Sequence, residues 1–333
     1  NLDGLRFDLM GLHDVQTMQE VETAVHAINP NAIIYGEGWT MGATIDGSPQ
    51  ANQPNISRIQ PTGDAIGGIA VFNDVVRDGL KGSVFDKTSR GYISGAGGTT
   101  TAVIFGIKGA GAAGKGWRVK DSMVINYMSA HDNHTLWDKL TISVPDAEKE
   151  QLLAMNRLGA GILLLSRGTP FWQAGEEMLR TKGGDENSYK SSDAVNNIDW
   201  SVLHAGSDEY AMAEYYRGLI AMRKAYPILT APDATVLSAE ELGSGILQVV
   251  FDDGKGGQTE DYLKPWTFTS DDGRFEMDFE PIIDRAALID LKVLCSDQHQ
   301  VFGYFTGKAV LDGGRVLEVK RMLGFAEKVF NKW

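Results

Sequence analysis

Two carboxylic acids belong to two short apolar segments near the beginning of the chain. Asp8 lies within residues 5–10, and Glu37 lies within residues 35–39. Hydrolysis of a glycosidic bond needs such a pair, because one carboxyl group acts as nucleophile or base and the other donates a proton. Acids at strand ends also simply cap the helices that follow them. The residue types and their setting leave both interpretations open.

The segments that carry these acids are predicted to be neighbouring strands. Between them, apolar residues from Met18 to Ile28 recur at three- and four-residue steps, which is the period of a helix. A strand–helix–strand unit of this length brings both acids to one rim of a sheet. The alternation continues, with strands predicted at 2–8, 32–36, 68–72, 123–129 and 170–173 and helices through 75–80 and at about 147–165 and 209–224. We therefore expect an α/β fold with a parallel sheet.

Composition indicates an ordinary globular protein. Of the 333 residues, 43% are hydrophobic and 23% are charged, and no apolar run is long enough to span a bilayer. The net charge of -13 argues against a nucleic-acid partner or an anionic membrane, but not against a neutral glucan. Cys295 is the single cysteine. An internal disulfide framework is therefore excluded, and the cellular compartment is left open.

Two further motifs indicate other chemistry only weakly. Residues 109–114 match G-x-G-x-x-G, but glycine continues where a dinucleotide-binding motif requires a helix to begin. His131 and His134 flank Asp132, but they follow a predicted strand, where the two imidazoles do not converge on one ion. A metal site is the less favoured interpretation, and we expect no metal ion and no cofactor.

Three motifs together carry a resemblance to a known family. They are G-x-R-x-D, G-E-G-W and H-D-N, in this order and spacing, and the last is extended to H-D-N-H-T-L-W-D. Residues 1–250 thereby resemble the second half of a type I pullulanase, in the α-amylase superfamily (glycoside hydrolase family 13). The extension favours pullulanase over α-amylase, branching enzyme or isoamylase. The segments that carry the resemblance are 3–11, 35–39, 71–74, 129–138, 174–182, 187–189 and 197–200.

The resemblance implies both a fold and a reaction. The fold would be a partial (β/α)8 TIM barrel, about strands four to eight, followed by a β-rich C-terminal region. The reaction would be retaining hydrolysis of α-1,6-glucosidic branch linkages in pullulan, amylopectin or related α-glucans, so the expected partner is a branched α-glucan. Asp8 would be the nucleophile, Glu37 the general acid and base, and Asp132 the third catalytic carboxylate.

The resemblance also assigns five residues to substrate binding. Arg6 would orient Asp8, and His131 would hydrogen-bond the sugar in the same subsite. Trp39 would stack on a glucose face, and Asn187 and Tyr189 would line the donor side of the cleft. For these last three residues, ordinary loop packing is an equally open interpretation.

The family pattern is incomplete in this sequence. The family barrel has eight strands, and residue 1 falls in what would be the fourth, so we expect a fragment of a longer protein. An open barrel leaves a strand edge unpaired, and catalysis needs groups placed from all sides of the cleft. We therefore expect impaired debranching, with a non-catalytic α-glucan-binding or vestigial protein as the alternative.

The end of the chain resembles a different family. Residues 262–266, 269–275 and 297–307 make the stretch 260–333 similar to the C-terminal part of domain of unknown function 2804. The sequence thus predicts three parts: a partial glycosidase barrel at 1–230, the start of a small β domain with a linker at 231–258, and a β-rich domain at 259–333. The change of resemblance near 258–260 suggests a chimera of two genes.

Overall fold

The computed structural model describes residues 2–44, 46–60, 62, 68–109, 121–231, 234–243, 246–252, 261–290 and 295–332. The chain divides into two compact units, Asn1–Lys255 and Gly256–Trp333. The suspected junction near 258–260 lies outside the described residues, and the three-part division of the sequence stays a prediction. No helix in the described ranges has the length and apolar character that crossing a membrane requires.

The first unit is built on a five-stranded parallel sheet. Its strands follow the chain order in space: β1 (Gly4–Phe7), β2 (Ile33–Gly36), β3 (Ala70–Phe72), β4 (Val124–Tyr127) and β5 (Thr169–Phe171). Each neighbouring pair is parallel. Since parallel neighbours end at the same edge, the residues that follow these strands share one rim. The predicted α/β fold with a parallel sheet is confirmed.

Helices connect and flank these strands. In the described part of the unit they are α1 (Val15–Ile28), α2 (Asp74–Lys81), α3 (Thr100–Ile107), α4 (Leu136–Ser143), α5 (Lys149–Leu165), α6 (Asp193–Asn196) and α7 (Asp208–Ala225). α1, α2, α5 and α7 match the predicted helices. α3 and α4 lie in segments where the sequence predicts no helix. α4 begins at a polar cap, because the Thr135 hydroxyl accepts a hydrogen bond from the Asp138 amide.

The two faces of the sheet bury different side chains. One face carries an aromatic residue from each of β2 to β5, namely Tyr35, Phe72, Tyr127 and Phe171. The ring of Phe72 is central, with centroids 5.9, 4.9 and 5.1 Å from the other three in that order. On the opposite face, Ile34 and Val71 pack with Met18 of α1. Alternation of side chains along each strand therefore separates an aromatic layer from an aliphatic one.

One arginine fastens the end of α5 to α7. Arg223 of α7 donates hydrogen bonds to the carbonyl oxygens of Leu164, Ser166 and Gly168, at 2.8, 2.7 and 2.7 Å. The last carbonyls of a helix have no partner within the helix, and a cation there also suits the helix dipole. This single side chain therefore positions the turn that leads into β5.

A short antiparallel pair closes the described part of the first unit. β6 (Thr235–Glu241) pairs with β7 (Leu247–Asp252), as the sequence predicts for this region. Leu247 and Val249 of β7 pack against the cluster that contains Leu152 and Leu163 of α5. The hairpin is thus held to the α/β core by apolar contacts.

The second unit is an antiparallel sheet of long strands. They are β8 (Trp266–Thr269), β9 (Phe275–Asp290), β10 (Cys295–Val310) and β11 (Val316–Lys332), in the spatial order β11–β10–β9–β8. Among the residues of this unit whose burial is described, Met277, Phe279 and Val301 are the buried apolar ones. The prediction of a β-rich C-terminal region is confirmed.

The alternation of apolar Phe275, Met277 and Phe279 with acidic residues predicts a strand that ends at Pro281, and this predicted end is wrong. β9 continues through Pro281 to Asp290. Opposite it, the register with β10 shifts between Phe302 and Gly303, so that Gly303 pairs with Pro281 and Phe302 pairs with Ile283. Such a bulge tolerates proline, which has no amide hydrogen to give to the ladder.

Candidate active site

Arg6 joins the two candidate catalytic carboxylates. Its Nη1 donates to Oδ1 of Asp8, and its Nη2 donates to Oε1 of Glu37 at 2.9 Å. Arg6 lies on β1 and Glu37 directly follows β2, and the two strands pair in register. A planar guanidinium with several donors suits this double contact. The strand ends therefore bring Asp8 and Glu37 together as the sequence predicts.

A backbone amide fixes the second oxygen of Glu37. The Leu9 amide donates to Oε2 at 2.8 Å, while the Glu37 amide itself donates to the carbonyl of Phe7 at 3.1 Å. Leu9 adopts a φ of 49°, a left-handed conformation that non-glycine residues rarely take. Glu37 is only 8% exposed. Both of its carboxylate oxygens thus have fixed partners before any ligand arrives.

The glycines on either side of Glu37 have no room for a side chain. A Cβ on Gly36 would lie 2.6 Å from the carbonyl oxygen of Phe7, and one on Gly38 would lie 2.7 Å from Cγ1 of Val71. The G-E-G spacing therefore lets the backbone approach β1 and β3 closely. That approach determines where the Glu37 carboxylate lies.

His131 and Asp132 reach the same site from the end of β4. Nε2 of His131 lies 3.6 Å from Oδ1 of Asp8 and 3.4 Å from Oδ1 of Asp132. The side chains of Asp8, His131 and Asp132 are 58%, 54% and 62% exposed. The structure thus brings together Arg6, Asp8, Glu37, His131 and Asp132. Of the acid–base groups, Glu37 is buried and the other three are exposed.

A small cavity of about 60 Å³ opens beside these residues. It is lined by Arg6, Glu37, Trp39 and Asp132 of the predicted set, together with Phe72, Arg77, Lys81, Val84, Tyr127, Ala130 and Asn133. Trp39 therefore belongs to the site. The Arg77 guanidinium lies 5.9 Å from the Trp39 ring centroid and donates to the Tyr127 hydroxyl at 2.9 Å.

Arg77 and Lys81 are site residues that the sequence analysis does not identify. They lie one helical turn apart on α2 and are both buried. The signal in the sequence is a pair of cations spaced i, i+4 beside the apolar pair Val76 and Leu80. Cations at that spacing usually lie on a solvated helix face, so the pattern alone does not reveal the cavity.

Asn187 and Tyr189 lie outside this cavity. Tyr189 is 71% exposed, with the Lys190 ammonium 5.1 Å from its ring centroid, and Asn187 is also exposed. Their loop is nevertheless tied to the site, because buried Lys182 donates to the Ser188 hydroxyl at 2.5 Å and to the His131 carbonyl at 3.5 Å. The structure therefore places both residues near the site without placing either in the cavity.

Three side chains of the site have ligand atoms close enough to share a cation. One oxygen each of Asp8 and Glu37 and a ring nitrogen of His131 all lie within 4.8 Å of one another. The Arg6 guanidinium already contacts both carboxylates. A metal ion would have to compete with that fixed positive charge, so the donor set does not favour a metal.

Sequence comparison relates most of the chain to pullulanases. The chain is 36% identical over 233 residues to a pullulanase of Bacillus subtilis, covering 68% of this chain and 30% of that protein. It is 29% identical over 252 residues to chloroplastic pullulanase 1 of Arabidopsis thaliana, covering 60% of this chain and 26% of the relative. The chain thus spans 30% and 26% of the lengths of these two relatives.

A solved structure agrees with this relationship, whereas a family match assigns the end of the chain to a different family. The crystal structure of Paenibacillus barengoltzii pullulanase in complex with maltohexaose and α-cyclodextrin has a TM-score of 0.65 and 32% identity, over 98% of this chain and 47% of that one. Residues 247–333 match a family described as domain of unknown function (DUF2804). That match begins in β7, before the predicted position 260. The chain is therefore pullulanase-like: its five-stranded parallel α/β sheet is similar to part of the TIM barrel of pullulanases, and the β-rich region that follows matches domain of unknown function 2804.

Proposed function

We propose that the site carries out retaining hydrolysis of α-1,6-glucosidic linkages in a branched α-glucan. The contact of one guanidinium with both Asp8 and Glu37 is the observation that carries this proposal. It holds two carboxyl groups side by side, with oxygens within 4.8 Å. Retaining glycosidases place their two carboxyl groups about 5–5.5 Å apart, whereas inverting enzymes leave room for a water molecule between them.

The proposed reaction has two steps. Asp8 attacks the anomeric carbon while Glu37 protonates the leaving glycosidic oxygen, which gives a covalent glycosyl-enzyme. Glu37 then removes a proton from water, and the water displaces Asp8. Asp132 and His131 hydrogen-bond hydroxyl groups of the reacting sugar. Trp39 offers an aromatic face to a neighbouring ring.

The proposed substrate class rests on the relatives. The B. subtilis and A. thaliana proteins are named pullulanases, and the P. barengoltzii enzyme was crystallised with maltohexaose and α-cyclodextrin. The net charge of -13 argues against an anionic polymer as substrate. A neutral α-glucan is the ligand class that fits both observations.

A second function, glucan binding without turnover, is favoured by solvent exposure. Asp8, His131 and Asp132 are each more than half exposed. Catalytic electrostatics are strongest where water is excluded. If this second function holds, hydrolysis by this chain is very slow or absent and oligosaccharide binding is retained.

Reducing-sugar release from pullulan, measured together with maltohexaose binding by calorimetry, tests both functions. Release that is lost in Asp8→Asn and Glu37→Gln, and unchanged in the exposed control Asp146→Asn, supports the hydrolase. Binding without release supports the glucan-binding function. Absence of both release and binding contradicts both. If release occurs, NMR of the first product anomer distinguishes retention from inversion.

A further inference from the structure

One face of the antiparallel sheet in the second unit carries a contiguous apolar patch. Residues directly opposite each other on neighbouring strands point to the same face. Phe302 of β10 lies opposite Ile283 of β9 and Phe325 of β11, and Tyr304 lies opposite Leu323. The rings of Phe302 and Phe325 are 5.6 Å apart. These side chains form what we call the exposed patch: Ile283, Phe302, Tyr304, Leu323 and Phe325.

The two faces of this sheet differ in how much apolar surface they bury. On the opposite face, Met277, Phe279 and Val301 are at most 5% exposed. In the exposed patch, Leu323 and Phe325 are 64% and 52% exposed. Side chains of this size present about 100 Å² each when half exposed, so the patch as a whole presents roughly 400 Å². Contiguous apolar patches of about this size are often interaction sites.

Two charges of opposite sign lie at the two ends of the patch on β9. Arg285 lies opposite Gln300, in the row on one side of Phe302, and Glu280 lies opposite Tyr304, in the row on the other side. Both charged side chains are exposed. Among the residues that the structure describes, neither has an ion-pair partner within 4.0 Å. These two charges are therefore available to a partner molecule.

On β11 the order of the charges is reversed. Glu327 lies opposite Gln300 and accepts a hydrogen bond from its amide at 2.6 Å. At the other end of the patch, the Arg321 guanidinium lies 4.3 Å from the ring centroid of Tyr304. Each end of the exposed patch thus has one acid and one arginine, and the two ends carry them on opposite strands.

This charge pattern is complementary to itself. A two-fold rotation about the row that contains Phe302 places a second copy on the patch with its strands reversed and apolar row on apolar row. Arg285 then faces the partner's Glu280, and Arg321 faces the partner's Glu327, and each contact occurs twice. Because both copies use the same patch, the contact closes at two copies and leaves no patch exposed.

We propose that the exposed patch is the interface of a homodimer in which two sheets stack face to face. Stacked sheets lie about 10 Å apart with nearly aligned strands, which is the geometry that this rotation gives. A stable interface buries about 800 Å² on each partner. β9, β10 and β11 are 16, 16 and 17 residues long, so polar surface of the same face continues beyond the patch and supplies the remaining area.

Sedimentation equilibrium of the full chain at micromolar concentrations tests the proposal. We expect twice the chain mass for the unmodified protein and the chain mass for Leu323→Glu, which buries a charge in the interface. Met322→Glu is the matched control, because Met322 is 54% exposed and lies opposite Phe305 on the other face. We expect this variant to remain dimeric. A monomeric unmodified protein, or a dimer that Met322→Glu disrupts and Leu323→Glu does not, overturns the proposal.

A charge-reversal experiment tests the two-fold arrangement itself. Arg285→Glu and Glu280→Arg each create like charges across the interface, so each variant alone should associate at least about tenfold more weakly. In an equimolar mixture of the two variants, every facing pair in the heterodimer again has opposite charge, and we expect association to return. A mixture that associates no better than its components overturns the arrangement. Restored association also shows that both variants are folded, and neither measurement involves hydrolysis of a glucan.

Discussion

The Leu9 amide donates a 2.8 Å hydrogen bond to the Glu37 carboxylate. Leu9 immediately follows Asp8, so the chain turn that presents one carboxylate also positions the other. The turn requires a φ of 49° at Leu9. Left-handed conformations at non-glycine residues cost about 1–3 kcal/mol and cluster at functional sites. The position of Glu37 is thus maintained at the expense of local backbone strain.

Leu9→Gly should therefore preserve or increase stability. Glycine adopts positive φ without strain, and the mutation keeps the amide donor. Leu9 is 42% exposed, so little apolar burial is lost. We expect a change in unfolding free energy between zero and about 1 kcal/mol in favour of the variant, measured by urea denaturation. A loss of more than about 1 kcal/mol in the unfolding free energy would show that contacts of the Leu9 side chain, rather than its backbone strain, dominate its effect on stability.

Arg6→Lys should destabilise the first unit despite keeping the charge. A lysine ammonium is a point charge that does not reproduce the two-sided contact with Asp8 and Glu37. The two carboxylates then repel each other at close range. We expect a loss of about 1–3 kcal/mol in the unfolding free energy. Arg58→Lys, at an exposed position, is the control and should change it by less than about 0.5 kcal/mol. Equal effects of the two substitutions would contradict this account.

The sequence predicts the candidate site better than it predicts the cavity beside it. Asp8 and Glu37 are predictable neighbours because parallel strands end at one rim, and the resemblance adds His131 and Asp132. Arg77 and Lys81 are not predictable in this way. They point inward from a helix whose pattern also fits a solvated face, and only the packing of α2 against β4 decides between the two.

Two elements show why local sequence signals fail. Pro281 normally ends a strand, but a register shift in β10 accommodates it within β9. α4 begins directly after the segment that contains the H-D-N motif, so the sequence pattern predicts that its eight residues continue the loop. In both cases the outcome depends on contacts made by another segment of the chain. Tertiary context therefore overrides the local preference.

Arg223→Met should destabilise the protein by about 2–3 kcal/mol. The substitution leaves the carbonyls of Leu164, Ser166 and Gly168 without their donor, and unsatisfied buried acceptors are costly. Arg217→Met on the same helix is the control. Its side chain is 73% exposed and pairs with Glu214 on the surface, so we expect a change within about 0.5 kcal/mol. Thermal unfolding of both variants measures the difference, and similar shifts would argue against the role of Arg223.

The buried carboxyl of Glu176 should make stability depend on pH. Burial raises its pKa from 4.5 to about 7, although it accepts hydrogen bonds from the hydroxyls of Ser129 and Tyr216. The folded protein therefore keeps a proton that the unfolded chain releases between pH 4.5 and 7. The contribution of the Glu176 carboxyl group to stability is therefore present below pH 4.5 and is lost as the pH rises through 7.

Lys81 acts in a different pH window. Its pKa is lowered from 10.5 to about 7, so its contribution is present above pH 10.5 and is lost as the pH falls through 7. Between pH 4.5 and 7, Lys81 is mainly protonated in both the folded and the unfolded state. Stability in this window therefore reports mainly on Glu176, not on Lys81.

Glu176→Gln should remove this pH dependence, because an amide of the same shape has no proton to lose. We expect the variant to match the wild type near pH 4.5 and to unfold at a temperature about 5 °C higher near pH 7.5. Thermal unfolding from pH 4.5 to 7.5 measures the difference at each step. Glu177→Gln removes a charge from the same turn without touching the Ser129 and Tyr216 contacts. If Glu177→Gln abolishes the dependence of the unfolding temperature on pH and Glu176→Gln does not, the burial of Glu176 is not the origin of that dependence.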